Sequence, residues 1–167
     1  MKRRYTSGEY RDLVAGIRKR VPGIAISSDF IVGFPGETDA DFEATLDLVN
    51  EVRFDSLFGF RYSPRPGTAA ARWGSQTAVP ESVSAERLNR LLDLQTGIQR
   101  AINESLVGRE FEVLIEGTNK KGQATGRTPC NRIVHFEEGA ATPAAGEYVR
   151  ARVLRGLPNS LSGRLAA

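Results

Sequence analysis

The sequence predicts an α/β part followed by a small all-β part. Helical and strand patterns alternate as far as residue 68, and short runs of alternating polarity, divided by turn residues, occupy the chain after residue 107. Between them, apolar residues recur at helical spacing over about 82–105, which predicts a long connecting helix. We therefore expect two domains, residues 1–106 and residues 107–167.

The first part has the order helix, strand, helix, strand. Thr6 and Glu9 have the spacing of a capping box, and Pro22-Gly23 ends the helix that they begin. Strands are predicted at 24–32 and 54–62, with a helix at 39–52 between them, and this is the pattern of a parallel βαβ unit. Because two parallel strands do not bury both of their faces, we expect this part to complete a larger sheet or barrel.

The turn between the first strand and the second helix is the most informative stretch of this part. An apolar strand runs into Gly33-Phe34-Pro35-Gly36, and Thr38 can cap the helix that follows, with Asp41 three residues later. Ligands of α/β proteins bind at such strand ends. Neither a Walker loop nor a G-x-G-x-x-G motif is present, so on spacing alone a plain strand-to-helix connection explains the turn equally well.

The second part contains five short strand-like runs separated by turns such as Asn119-Lys120-Lys121-Gly122. The runs are 110–116, 122–127, 133–136, 147–154 and 157–165. They predict a five-stranded antiparallel barrel of the OB type. Phe136 and Tyr148 are expected in its core; the alternative is that they stack on nucleic-acid bases.

Composition excludes several classes of protein. No run approaches the roughly 20 apolar residues of a membrane helix, so we expect no membrane partner and a cytoplasmic location. The net charge is +3, with the excess in residues 107–167, which suits a polyanion or a plain basic surface equally. One cysteine and one histidine do not make a zinc or iron–sulfur site, and we predict no metal ligand and no catalytic residue.

Four stretches, taken in order, resemble one family. They are Met-Lys-Arg-Arg-Tyr-Thr at 1–6, Asp-Phe-Ile-Val-Gly-Phe-Pro-Gly-Glu-Thr at 29–38, Tyr-Ser-Pro-Arg-Pro-Gly-Thr-Ala-Ala at 62–70 and Gly-Arg-Thr-Pro-Cys-Asn-Arg-Ile-Val-His-Phe at 126–136. The first three resemble the second half of the radical-SAM domain of methylthiotransferases, a partial (β/α) barrel. The fourth resembles their C-terminal TRAM domain. Residues 62–68 are most similar to the MiaB-type, tRNA-modifying branch.

The resemblance implies a reaction and its cofactors. Enzymes of this branch add a methylthio group at the 2-position of an isopentenyl-adenosine next to the anticodon, with S-adenosylmethionine and two 4Fe-4S clusters. The cysteines that hold those clusters are absent here, and Cys130 is expected to be an unliganded thiol. The chain is thus expected to be a catalytically incomplete part of the enzyme, with the N-terminal part and tRNA as its partners.

The resemblance also implies a set of cofactor-binding residues. They are Arg3, Asp29, Ile31, Gly33, Phe34, Gly36, Glu37, Tyr62, Ser63 and Arg65. Glu37 either orients the turn by hydrogen bonding or only caps the helix. Arg65 suits a cofactor carboxylate or an RNA phosphate, and the alternative is a surface arginine between two prolines. Arg3 lies either at the edge of the same site or in a basic cluster that leads into the first helix. Asp29 would need a partner if buried, either the cofactor or an arginine.

The predicted barrel carries the candidate RNA contacts. They are Lys120, Lys121, Arg127, Asn131 and Arg132, which would bind the anticodon region of tRNA mainly through phosphates. Two other functions stay open at this point. One is a fragment of a methylthiotransferase that modifies an aspartate of a ribosomal protein, and the other is a non-catalytic RNA-binding module.

Overall fold

The structure, a computed structural model, describes residues 4–73, 77–137 and 143–166. The chain divides into two compact units, Met1–Gln95 and Thr96–Ala167. The elements are α1 (Ser7–Arg20), β1 (Ser27–Val32), α2 (Asp39–Val52), β2 (Ser56–Arg61), a 3-10 helix (Ala70–Trp73), α3 (Glu81–Glu104), β3 (Glu110–Thr118), β4 (Ala124–Arg127), β5 (Ile133–Phe136), β6 (Tyr148–Gly156) and β7 (Leu161–Leu165). This order confirms the predicted fold class, whereas the domain boundary after residue 106 stays a prediction.

The helices of the first unit begin where their capping residues predict. Thr6 accepts a hydrogen bond from the Glu9 amide, and the Glu9 carboxylate accepts one from the Thr6 amide at 2.7 Å. Thr38 and Asp41 form the same box at the start of α2, with the Asp41 carboxylate 2.9 Å from the Thr38 amide. A shorter aspartate therefore serves where glutamate is usual.

Strands β1 and β2 form a two-stranded parallel sheet. Their register runs from Ser27 beside Ser56 to Val32 beside Arg61. One face packs on apolar side chains: the Phe30 ring lies 5.5 Å from that of Phe54, which is fully buried. Other buried apolar residues of this unit are Val14, Val32, Phe42, Val49, Val52 and Leu91.

The opposite face of this sheet is exposed. Ile31 lies beside Phe60 and Asp29 beside Phe58 in the register, so these four side chains share one face. Phe58 is 58% exposed and Phe60 is 52% exposed. An apolar sheet face left open in this way agrees with the expectation that the two strands belong to a larger sheet.

The second unit is a closed five-stranded barrel in the order β3-β4-β5-β7-β6. Four of its seams are antiparallel, and the seam between β5 and β7 is parallel, with Val134 beside Leu161. The predicted barrel is thus confirmed, but the prediction that it is wholly antiparallel was wrong at this seam. Alternation of polarity indicates strands without indicating which strands pair.

Side chains from all five strands fill the barrel. Val113, Ile115, Val134, Val153 and Leu161 are almost fully buried there. Phe136 also belongs to this core, as predicted. Tyr148 does not: it is 68% exposed, so the prediction that it lies in the core was wrong. It is the first residue of β6 and lies on the outer face, opposite to its neighbour Val149.

No helix among residues 4–73, 77–137 and 143–166 has the length and apolar character needed to cross a membrane.

The capping boxes predict a response of the helix ends to acid. The hydrogen bond from the Thr6 backbone makes the largest contribution to lowering the pKa of Glu9, and the bond from the Thr6 side chain makes the next largest. The backbone and side chain of Thr38 lower the pKa of Asp41 in the same way. The ionised carboxylates thus stabilise the folded caps. This contribution to stability is complete when the pH is above the ordinary pKa values, 4.5 for Glu9 and 3.8 for Asp41. It is lost as the pH falls through the lower pKa values of the folded state.

Amide NMR during an acid titration measures this effect. The Thr6 and Thr38 amide shifts should change with midpoints below 4.5 and 3.8, respectively. In an Asp41→Asn variant the Thr38 amide should lose its transition while that of Thr6 keeps it. A Thr38 transition that survives in this variant would contradict the assignment.

Candidate cofactor pocket and nucleic-acid interface

The turn after β1 is held by packing against α3. Gly33 has a φ of 70°, and a Cβ at this position would lie 2.6 Å from the Cβ of Ser84. A side chain at position 33 is therefore excluded both by backbone conformation and by space. The Gly36 amide donates to the Thr77 carbonyl at 2.7 Å, which fixes the far side of the turn.

Glu37 orients this turn. Its Oε2 accepts hydrogen bonds from the Gly33 amide at 2.7 Å and from Arg87 Nη1 at 2.6 Å. The alternative, that Glu37 only caps α2, was wrong because Thr38 is the capping residue. Arg87 also donates to Asp39, and its side chain is only 6% exposed.

Electrostatics explain why a buried arginine is tolerated here. Burial by itself lowers the pKa of Arg87, but hydrogen bonds to Asp39 and Glu37 outweigh burial and raise that pKa above its ordinary value. Arg87 is therefore a permanent cation that links the β1 turn to α3.

Three aromatic rings meet at the carboxyl ends of the two strands. The Phe34 ring is nearly perpendicular to that of Tyr62, with centroids 5.1 Å apart, and to that of Trp73, with centroids 5.8 Å apart. The Tyr62 hydroxyl is buried and has no hydrogen-bond partner among the described residues. Buried polar atoms of folded proteins usually have a hydrogen-bond partner in the protein or an ordered water.

These rings line a cavity of about 580 Å³, which we call the aromatic pocket. Its lining residues are Phe34, Tyr62, Ser63, Arg65, Thr68, Ala69, Ala70 and Trp73. A second cavity of about 360 Å³ shares Tyr62 and Ala70 with it and includes Gly33 and Glu81. Both volumes are in the range of small-molecule sites.

The structure brings some of the predicted cofactor residues together and separates others. Phe34, Tyr62, Ser63 and Arg65 all line the aromatic pocket, and Gly33 lines the second cavity. Glu37 supports the turn, and Gly36 is exposed within it.

Asp29 and Ile31 lie instead on the open sheet face beside Phe58 and Phe60. Asp29 is exposed, so the need for a buried partner does not arise. Arg3 lies outside the described residues. Trp73, the only tryptophan of the chain, lines the aromatic pocket although it is not among the predicted cofactor residues.

The two kinds of cofactor implied by the resemblance fit these residues differently. An adenosine group suits the aromatic pocket, with its flat apolar walls and its arginine. A 4Fe-4S cluster does not suit these residues, because it needs several thiolates and the sequence has one cysteine. That residue, Cys130, is exposed on the second unit, and no cluster of three metal-binding side chains occurs among the described residues.

The barrel carries a basic groove of about 520 Å³. It is lined by Asn119, Lys120, Lys121, Gln123, His135, Glu137, Arg155, Leu157 and Ser162. The Asn119 side chain accepts hydrogen bonds from the amides of Lys121 and Gln123 and so shapes the loop between β3 and β4. Glu137 accepts from Arg155 at 3.1 Å, and within the part of the chain that the structure describes the two lysines of the groove have no carboxylate partner.

The other predicted RNA contacts lie elsewhere on the barrel. Arg127 donates to Glu116 and to the Asn131 side chain, each at 3.0 Å, so its charge is already balanced. Asn131 has a left-handed φ of 61° in the β4–β5 turn. Arg132 is partly buried, and its amide donates to Thr128 Oγ1 at 3.1 Å. The structure thus separates Lys120 and Lys121 from these three residues.

Comparison with known proteins gives consistent matches. Residues 104–166 match the TRAM domain. A tRNA-2-methylthio-N(6)-dimethylallyladenosine synthase of Moorella thermoacetica is 47% identical over 99% of this chain and 37% of its own length. A protein of the same name from Anaeromyxobacter dehalogenans is 48% identical over 99% of this chain and 37% of its own length. These matches confirm the resemblance inferred from the sequence motifs.

The chain spans little more than a third of the length of these curated relatives. Among solved structures, a multidomain protein with nucleic acid binding domains from Streptococcus pneumoniae covers 38% of this chain and 24% of that chain. It is 17% identical with a TM-score of 0.34, a likeness too slight to support an argument.

The buried ion pair predicts unequal effects for its two carboxylates. Glu37→Gln keeps an acceptor for the Gly33 amide but removes the buried partner of Arg87, so it should lower the free energy of unfolding by on the order of 3 kcal/mol. Asp39→Asn should cost less than about 1 kcal/mol, because the Asp39 side chain is 95% exposed. Urea titration, monitored by the fluorescence of Trp73, measures the free energy of unfolding of both variants. Equal losses in the two variants would contradict a special role for Glu37.

Proposed function

Because this chain is a homologue of tRNA-2-methylthio-N(6)-dimethylallyladenosine synthases and carries a TRAM domain, we propose that it is part of such an enzyme. In this proposal it lines one side of the cofactor site and binds RNA. The whole enzyme would methylthiolate an isopentenyl-adenosine beside the anticodon, in the cytoplasm. The aromatic pocket is the observation that carries this proposal. The names of the relatives favour tRNA over a ribosomal protein as the substrate.

In this proposal the aromatic pocket holds the adenosine group of S-adenosylmethionine. When bound, this cofactor supplies the methyl group of the product. Phe34 gives a flat apolar wall and excludes water, and the exposed Ser63 offers a hydroxyl for a hydrogen bond. Arg65 carries a planar guanidinium at the edge of the pocket, suited to the cofactor carboxylate or to an RNA phosphate. None of these side chains takes part in chemistry; they bind and orient.

The two iron–sulfur clusters would be held by another part of the enzyme, since these 167 residues contain one cysteine. We propose that this other part covers the open sheet face formed by Asp29, Ile31, Phe58 and Phe60. Two exposed phenylalanines on one sheet face are typical of a surface that is buried in the complete protein. The 167-residue chain alone would then be catalytically incomplete.

The basic groove would bind tRNA. Barrels of the OB type bind single-stranded nucleic acid beside the loop that joins their first two strands, and Lys120 and Lys121 lie in the corresponding β3–β4 loop. Their charges would contact phosphates and supply affinity without reading sequence. Arg127, Asn131 and Arg132 remain predicted contacts at a different place on the barrel.

Binding of S-adenosylhomocysteine tests the cofactor assignment. The chain should bind this stable analogue in calorimetry, and Phe34→Ala should weaken binding at least about fivefold, because stacking on an aromatic ring is worth about 1–3 kcal/mol. The control is Leu13→Ala, which removes an exposed apolar side chain of α1 and should leave affinity unchanged. If RNA binds and the analogue does not, the chain is better described as an RNA-binding module.

Salt dependence of tRNA binding tests the groove. The Lys120→Ala/Lys121→Ala double variant should bind more weakly, and the slope of log affinity against log salt should fall by up to about 2. The charge-matched control is Arg150→Ala/Arg164→Ala, which removes two exposed arginines from β6 and β7. A larger loss in the control than in the lysine variant would move the binding surface to the β6–β7 face.

A further inference from the structure

Trp73 stands out because it is the only tryptophan and yet is not part of a core. It is 50% exposed, although tryptophan is the side chain that gains most from burial. It ends the 3-10 helix Ala70–Trp73, and Phe34 is the aromatic ring against which it packs.

The backbone before Trp73 is well supported. The Thr68 hydroxyl donates to the Arg65 carbonyl at 2.8 Å and accepts from the Ala71 amide at 3.3 Å. The Arg72 amide donates to the Ala69 carbonyl at 3.1 Å. The exposed ring is therefore presented by an ordered turn that is anchored next to β2.

The position of the ring within the aromatic pocket indicates its ligand. Phe34 meets Trp73 at 89°, edge to face, so the two contacting rings lie at right angles, and both line the cavity. Flat walls with hydrogen-bonding groups at the side suit a planar heterocycle, and the exposed Ser63 and Arg65 of the same cavity supply such groups.

We infer that Trp73 is a binding residue for an adenine ring in the aromatic pocket. The inference rests on the proposed function, which supplies two adenines: that of S-adenosylmethionine and the isopentenylated adenine of the tRNA. Both present the same flat purine. The cofactor adenine is the expected occupant, because Phe34, Tyr62 and Ser63 line the same cavity.

The single tryptophan makes the test direct. S-adenosylhomocysteine, adenosine and N6-isopentenyladenosine are titrated separately into the 167-residue chain while tryptophan emission is recorded, with cytidine as the non-purine control. Emission reports only on residue 73, so stacking should quench it by at least about a third, with saturation, and cytidine should have no such effect.

Variants then separate this inference from the proposed function. Equilibrium dialysis of radiolabelled S-adenosylhomocysteine should show at least fivefold weaker binding to Trp73→Ala, a smaller loss in Trp73→Phe, and none in Leu13→Ala. Circular dichroism confirms that each variant is folded.

The outcomes are distinguishable. If the wild type binds S-adenosylhomocysteine and Trp73→Ala binds it equally well, the role of Trp73 is overturned while the proposed cofactor pocket stands. If only N6-isopentenyladenosine binds and Trp73→Ala weakens it, Trp73 binds adenine, but the cofactor assignment of the pocket is wrong. If no purine binds the wild type, the inference is overturned.

Discussion

The first unit depends on the ion pair of Arg87 with Glu37. A guanidinium that is almost fully buried requires a carboxylate, and that carboxylate also accepts the Gly33 amide. One side chain of α3 thereby fixes the turn that separates β1 from α2. The same turn places Phe34 against Tyr62 and Trp73, so the geometry of the aromatic pocket follows from a charge pair that lies outside it.

Local chemistry made much of the fold predictable. Both capping boxes, the βαβ order and the five barrel strands follow from spacing and turn residues that act within a few positions of one another. The parallel β5–β7 seam and the outward position of Tyr148 did not follow, because strand pairing and the start of a pleat are set by the closed barrel as a whole.

The candidate site was predictable to a similar extent. The family resemblance implied Phe34, Tyr62 and Ser63, which the structure does bring together. Trp73 was missed because it reaches the pocket through an irregular connector, where no periodicity exists to assign it a direction. Ile31 was a cofactor residue by resemblance, yet the pleat of β1 turns it to the other side of the sheet from Val32.

The pairing of β7 has a consequence for how the barrel forms. This strand contributes both the parallel seam to β5 and the antiparallel seam to β6, so neither strand has all of its partners until β7 has arrived. Val134 pairs with Leu161 only after β7 is in place. Closure of the barrel therefore depends on contacts between residues that are far apart in the sequence, and such contacts form slowly. During synthesis the barrel would remain an open sheet with two unpaired edges, and it would close as a single late event.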